Sequence, residues 1–196
     1  MALTKTTAID VVDAWQAVAG GVLVDGASKD ISGSYATLLT VELAPIEAVA
    51  TDGAEVTVEV SYGDDDWVAL ATVKATAETP ATTTINDAAV NAADISLTLT
   101  DAATGDFDIP GRKWLIVDGT VANSESVRTK INATHTVTLC QDLIRAHANS
   151  LNVYDRVDEW VFDIPVAASA VRVVVNNVDA DCDCMFTSRV SMVTAL

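Results

Sequence analysis

Glu55-Val56-Thr57-Val58-Glu59-Val60-Ser61-Tyr62 alternates polar and apolar side chains without a break. A period of two puts the three valines on one face and the polar groups on the other. This is a strand with one buried and one wet face. Gly63-Asp64-Asp65-Asp66 follows, with the composition of a turn, and Trp67-Val68-Ala69-Leu70-Ala71-Thr72-Val73 returns. Together they predict an antiparallel hairpin.

The same reading extends outward. Thr37 to Leu43 is an apolar run closed by Pro45. Further strands are predicted at Ile95–Leu99, Lys113–Val117, Ser126–Ile131 and Thr136–Cys140, then at Glu159–Ile164, Ala170–Val175 and Cys184–Val193. Gly105-Asp106, Pro110-Gly111, Asp118-Gly119, Asn132-Ala133, Pro165 and Asn176-Asn177 punctuate them. A turn roughly every ten residues is the pattern of an all-β sandwich or barrel. Two segments also fit short helices. Ala8–Val18 reads as a helix or an extended arm, and Asp87–Ala93 is alanine-rich.

Composition narrows the function. The chain has 196 residues, 28 acidic and 11 basic side chains and a net charge of −17. Such acidity argues against nucleic acid as a partner, because phosphate binding needs a basic surface. Half the residues are hydrophobic, which argues against a disordered acidic tail. No apolar run is long enough for a membrane-spanning helix, and Met1-Ala-Leu-Thr-Lys-Thr-Thr lacks a signal-peptide core, so no membrane is expected as a partner. Three cysteines, Cys140, Cys182 and Cys184, predict reduced thiols rather than a disulfide framework.

Charge divides the chain. Residues 1–94 carry a net −12, residues 95–156 a net −1 and residues 157–196 a net −4. The final 40 residues hold only three predicted strands, too few to stand alone. The predicted organisation is therefore an antiparallel β-sandwich (26–94 with 157–196), an inserted small β-barrel (95–156) and an extended N-terminal arm (1–25).

No catalytic or cofactor motif stands out. Asp179-Ala-Asp181-Cys-Asp183 spaces carboxylates like the start of a calcium loop, but lacks the glycine and the distal glutamate, so an acidic hairpin tip is expected. Gly63-Asp64-Asp65-Asp66 reads as a solvated turn. The two histidines, His135 and His147, have no ligand spacing to each other. Ser124, Glu125 and a histidine make a triad on paper without a nucleophile elbow around them. Asn132-Ala-Thr134 matches a glycosylation acceptor and reads as a turn. No catalytic residue, cofactor or metal is predicted. Trp67, Trp114 and Trp160 lie in or beside strands as core anchors, whereas Trp15 either clamps its own domain or anchors a neighbouring subunit.

Several blocks resemble phage virion structural proteins. Asp30-Ile-Ser-Gly-Ser-Tyr-Ala-Thr-Leu-Leu, Ala54-Glu-Val-Thr-Val-Glu-Val-Ser and Asp64-Asp-Asp-Trp67 are similar to the sandwich of that group. Trp114-Leu-Ile-Val-Asp-Gly, Asn123-Ser-Glu-Ser-Val-Arg128, Thr136-Val-Thr-Leu139 and Leu143-Ile-Arg-Ala-His-Ala148 resemble its small barrel module. Val171-Arg-Val-Val-Val-Asn-Asn177 continues the likeness. Asn149-Ser150 replaces the module's usual glycine turn.

The resemblance implies a non-enzymatic virion protein, either a capsid decoration (cement) protein clamping capsid subunits or a tail or head–tail connection component. An adhesive, carbohydrate-binding sandwich is the competitor from a different class. Expected partners are a major capsid protein or other virion proteins and further copies of the chain, a trimer included. The expected location is the virion. Trp15 in the arm, and Arg112, Lys113, Arg128 and Lys130 in the near-neutral middle segment, are the candidate partner contacts.

Overall fold

A computed structural model describes residues 9–47, 53–63, 66–75, 77–88, 90–101 and 111–194. Among them the chain is all-β, and the one helical element is a 3-10 turn, Val121–Asn123. The strands form two five-stranded antiparallel sheets and one six-stranded antiparallel sheet.

The first sheet has the order β1 (Ile9–Val12), β16 (Cys184–Thr194), β5 (Ser34–Pro45) and β14 (Asp158–Ile164), with β2 (Gln16–Val18) also on β16. The second has the order β3 (Leu23–Asp25), β15 (Ala170–Asn176), β6 (Glu55–Ser61) and β7 (Trp67–Lys74), with β4 (Lys29–Asp30) also on β15. The strand that decides the fold behaves as its alternation requires. Val56, Val58 and Val60 are buried, and Glu55, Thr57 and Glu59 stay half-buried on the other face. Leu39, Val41, Leu43, Phe186 and Val190 of the first sheet join these valines and Val171, Val173 and Val175 of the second in one core. This is a sandwich of two sheets packed face to face.

The middle of the chain makes the third sheet. Its order is β8 (Thr82–Thr84), β13 (Asn152–Tyr154), β10 (Lys113–Val117), β11 (Glu125–Ala133), β12 (Thr136–Leu139) and β9 (Ser96–Thr98). A bridge between Ile85 and Leu99 joins the two ends of that order and closes the sheet into a barrel. The Thr100 amide donates to the Thr84 carbonyl at 2.9 Å across the same seam. Trp114, Ile116, Val127, Val137 and Val153 fill the interior. β8 lies upstream of the expected boundary at residue 95 and pairs within this sheet, because Thr82–Thr84 finds its ladder partner in Asn152–Tyr154.

The two short-helix candidates and the N-terminal segment take definite form. The described part of Ala8–Val18 is extended, since it adds β1 and β2 to the edge of β16. Asp87–Ala93 contains no helix among its described residues. Ala93 sits at φ 74°, the Asp94 carboxylate accepts the Asn91 amide at 2.7 Å, and Val90 bridges to His147. The N-terminal segment runs along its own sandwich from one sheet to the other. The crossing at 19–22 presses on the turn after β15, and a Cβ on Gly20 would stand 2.4 Å from the Ala180 carbonyl oxygen. The turns Asp64–Asp65 and Gly105–Pro110, and residues 1–8 of the arm, lie outside the described residues.

Candidate functional site: the seam between barrel and sandwich

Barrel and sandwich meet on the outer face of the first sheet. An apolar cluster forms the floor of this seam: Trp15, Ala44 and Met185 from the sandwich side, Leu115 and Tyr154 from the barrel, and Val157 from the returning link. Trp15 is 7% exposed. It was expected either to clamp its own domain or to anchor a neighbour, and the structure places it in its own core. β2 pairs with Cys184–Phe186 of β16, which draws Trp15 in beside Met185.

Beside the cluster lies an open cleft of about 370 Å³ lined by residues of both modules. Its polar wall is an ion-pair network. The Lys113 ammonium group on β10 donates to Glu42 on β5 and to Glu159 on β14. The Ser126 hydroxyl donates to the other Glu42 oxygen at 2.6 Å. Arg128 lies 3.7 Å from Glu159. The hydrogen bond from Lys113, helped by the nearby charges of Lys113, Arg128 and Arg189, holds the Glu159 carboxyl below its ordinary range against a smaller opposing effect of burial.

The two links between the modules are also tied. Arg112 donates to buried Asp155 at 2.6 Å, and Asp155 accepts the Ala81 amide at 2.8 Å. Arg156 pairs with Glu78 and, at 3.3 Å, with Asp158. Of the predicted contact residues, Arg112, Lys113 and Arg128 are therefore engaged within their own chain, while Lys130 is exposed on β11. The acidic partners Glu42, Glu159 and Asp155 did not stand out in the sequence. The one local signal was a carboxylate interrupting an apolar run, as in Val41-Glu42-Leu43.

A second polar cluster lies at the start of β11, beside the segment at 141–147. Glu125 is 5% exposed and accepts the amides of Ile144 at 2.7 Å and Arg145 at 3.1 Å. His147 Nε2 stands 3.1 Å from the same carboxylate. Its Nδ1, without a hydrogen-bond partner among the described residues, faces Asp118 Oδ2 at 3.7 Å. The Ser124 hydroxyl accepts the Asp118 amide at 3.1 Å. The cluster orders the segment at 141–147 against β11, and no hydrogen bond between Ser124 and His147 links it as a nucleophile and base. At the far end of the sandwich, Asp183 accepts the Gly20 amide at 3.0 Å and Asp179 accepts the Asp181 amide at 3.1 Å, so two carboxylates of the acidic turn hold backbone in place.

No family model matches the chain, and no curated protein matches it. Among solved structures, the tailspike protein gp49 from Pseudomonas phage LKA1 is 15% identical over 38% of this chain and 14% of its own, with a TM-score of 0.30. A fructosyltransferase from A. japonicus is 13% identical over 94% of this chain and 26% of its own, with a TM-score of 0.31. The infectious bursal disease virus VP2 subviral particle is 9% identical over 98% of this chain and 43% of its own, with a TM-score of 0.26. The chain spans less than half the length of each. Likenesses this slight assign it no activity.

Proposed function

We propose that the chain is a non-enzymatic virion structural protein, a capsid decoration (cement) protein that clamps neighbouring capsid subunits. The observation that supports this reading best is the ion-pair network at the seam. Lys113, Arg112 and Arg128 tie barrel, links and sandwich to one another, so the polar groups of the cleft serve rigidity. A stiff two-module body loses little conformational freedom on docking, and many weak contacts repeated by symmetry add up without chemistry. Leu38 and Val161 on the outer face of the first sheet are 44% and 58% exposed, apolar contacts for a partner surface. Lys130 is the remaining candidate cation from the middle segment.

The test is co-purification with intact particles, with copy number measured by quantitative mass spectrometry. A fixed multiple of the capsid subunit count supports the reading. A protein absent from purified particles overturns it, and density confined to a tail in an electron-microscopy map selects the tail component instead.

A further inference from the structure

Two edge strands lie on the same side of the sandwich. The short crossing at 19–22 stacks β2 of the first sheet over β3 of the second. The opposite ends of the two sheets, β14 and β7, therefore share the other side. Among the described residues β7 pairs only with β6. An unpaired, apolar edge is a template for strand addition unless charge, proline or cover protects it. From Trp67 to Lys74 there is no proline and no carboxylate, and Lys74 is the sole charge. Val68 is 53% and Leu70 38% exposed.

The strand is also complementary to itself. The register shifts between Val58 and Glu59, which leaves Leu70 as an extra residue on β7. Val68 therefore shares the inner face with Val60, and Val73 shares it with Val56. Trp67 and Lys74 both share the outer face, paired with Ser61 and Glu55. Antiparallel self-pairing about Leu70 and Ala71 then matches faces throughout: Val68 with Val73, Ala69 with Thr72, Trp67 with Lys74. Lys74, paired with Glu55 at 3.0 Å in its own copy, would lie beside the Trp67 indole, whose face already carries the Arg172 guanidinium 4.5 Å from the ring centroid. β14 is the poorer template. Asp158, Glu159 and Asp163 lie along it, and self-pairing would oppose like charges.

We propose that β7 seats a second copy of this chain, joined antiparallel about a two-fold axis near Leu70 and Ala71, so that the second sheet runs on across the dimer. This goes beyond the virion reading and stands or falls without it. Sedimentation velocity on the full chain at micromolar concentrations tests it. The wild type is expected at twice the 20.5 kDa chain mass. The double variant Val68→Lys with Leu70→Lys sets an ammonium group against the apolar Val73 of the other copy and brings the two residue-70 ammonium groups together beside the two-fold axis, and it is expected at the single mass, with an unchanged far-UV spectrum. Should it unfold, the exposed Thr72→Lys variant carries the same test. Val161→Lys on the outer face of β14 is expected to remain a dimer. A wild type at the single mass, or at any mass other than twice it, overturns the proposal. So does a dimer that survives the β7 lysines or is lost with Val161→Lys.

Discussion

Lys113 of the barrel donates a hydrogen bond to Glu42 of the sandwich, two residues 71 positions apart in sequence with side chains 14% exposed. Neither side chain is fully in water, so the pair is screened less than a surface ion pair, and removing one partner leaves the other short of a neutralising contact. Lys113→Met should destabilise the protein by about 1–3 kcal/mol. It should also make the links at 78–81 and 155–158 quicker to cleave. Urea titration and limited proteolysis check both effects. Unchanged proteolysis would mean that the apolar floor alone holds the barrel in place.

Acid should loosen the same seam. The Lys113 hydrogen bond holds Glu159 below its ordinary range, so the folded state favours the ionised carboxylate. That contribution is complete above the carboxylate's unfolded value and is lost as pH falls through its lower folded value. Melting temperature measured from pH 7 down to pH 3 should fall more steeply for the wild type than for Glu159→Gln, in which the titrating group is gone.

Glu125 accepts two backbone amides and faces His147 in the barrel wall. Glu125→Ala leaves buried donors without an acceptor, at a cost of about 3–5 kcal/mol. Glu125→Gln keeps one acceptor oxygen and should recover part of that loss. Chemical denaturation curves for the pair distinguish a structural carboxylate from an incidental one.

Thiol reactivity should follow burial. Cys182 and Cys184 are 3% and 2% exposed. Burial, with a smaller contribution from neighbouring Cys182 and Asp183, pushes the Cys184 thiol up to about 12. Burial raises Cys182 as well. Cys140 is exposed. Because the thiolate is the reactive form, alkylation of the native protein near pH 7.5 should modify Cys140 alone, and all three thiols should react in denaturant. Peptide mass mapping shows which sites carry the label.

Trp15→Ala should cost about 3–5 kcal/mol, as expected for emptying a buried indole site. Removing residues 1–20 would take away Trp15 and β1 and β2, which pair with β16 on the side away from β5, so it tests folding before it tests particle binding. Circular dichroism and a thermal melt of the truncated chain give the answer.

The sequence by itself determined the strands. Alternation in Glu55–Ser61 is a local property of successive side chains, and it appears in the structure as alternating burial. The barrel's Lys113–Val117 strand was legible by composition instead, as a short aromatic and β-branched run before the Asp118-Gly119 turn, and it is buried at Trp114, Leu115 and Ile116 in succession. Very short strands such as Thr82–Thr84 were not, because three residues carry no period and owe their form to a ladder partner far along the chain. Tertiary structure alone decided what the charges do. Lys113 and Arg112 looked available in the sequence, and only folding brings Glu42, Glu159 and Asp155 to them. Tertiary structure also decided Trp15. An indole near a chain end suits either a neighbour or its own core, and the pairing of β2 with β16 settles the choice, because burial depends on contacts between residues distant in sequence.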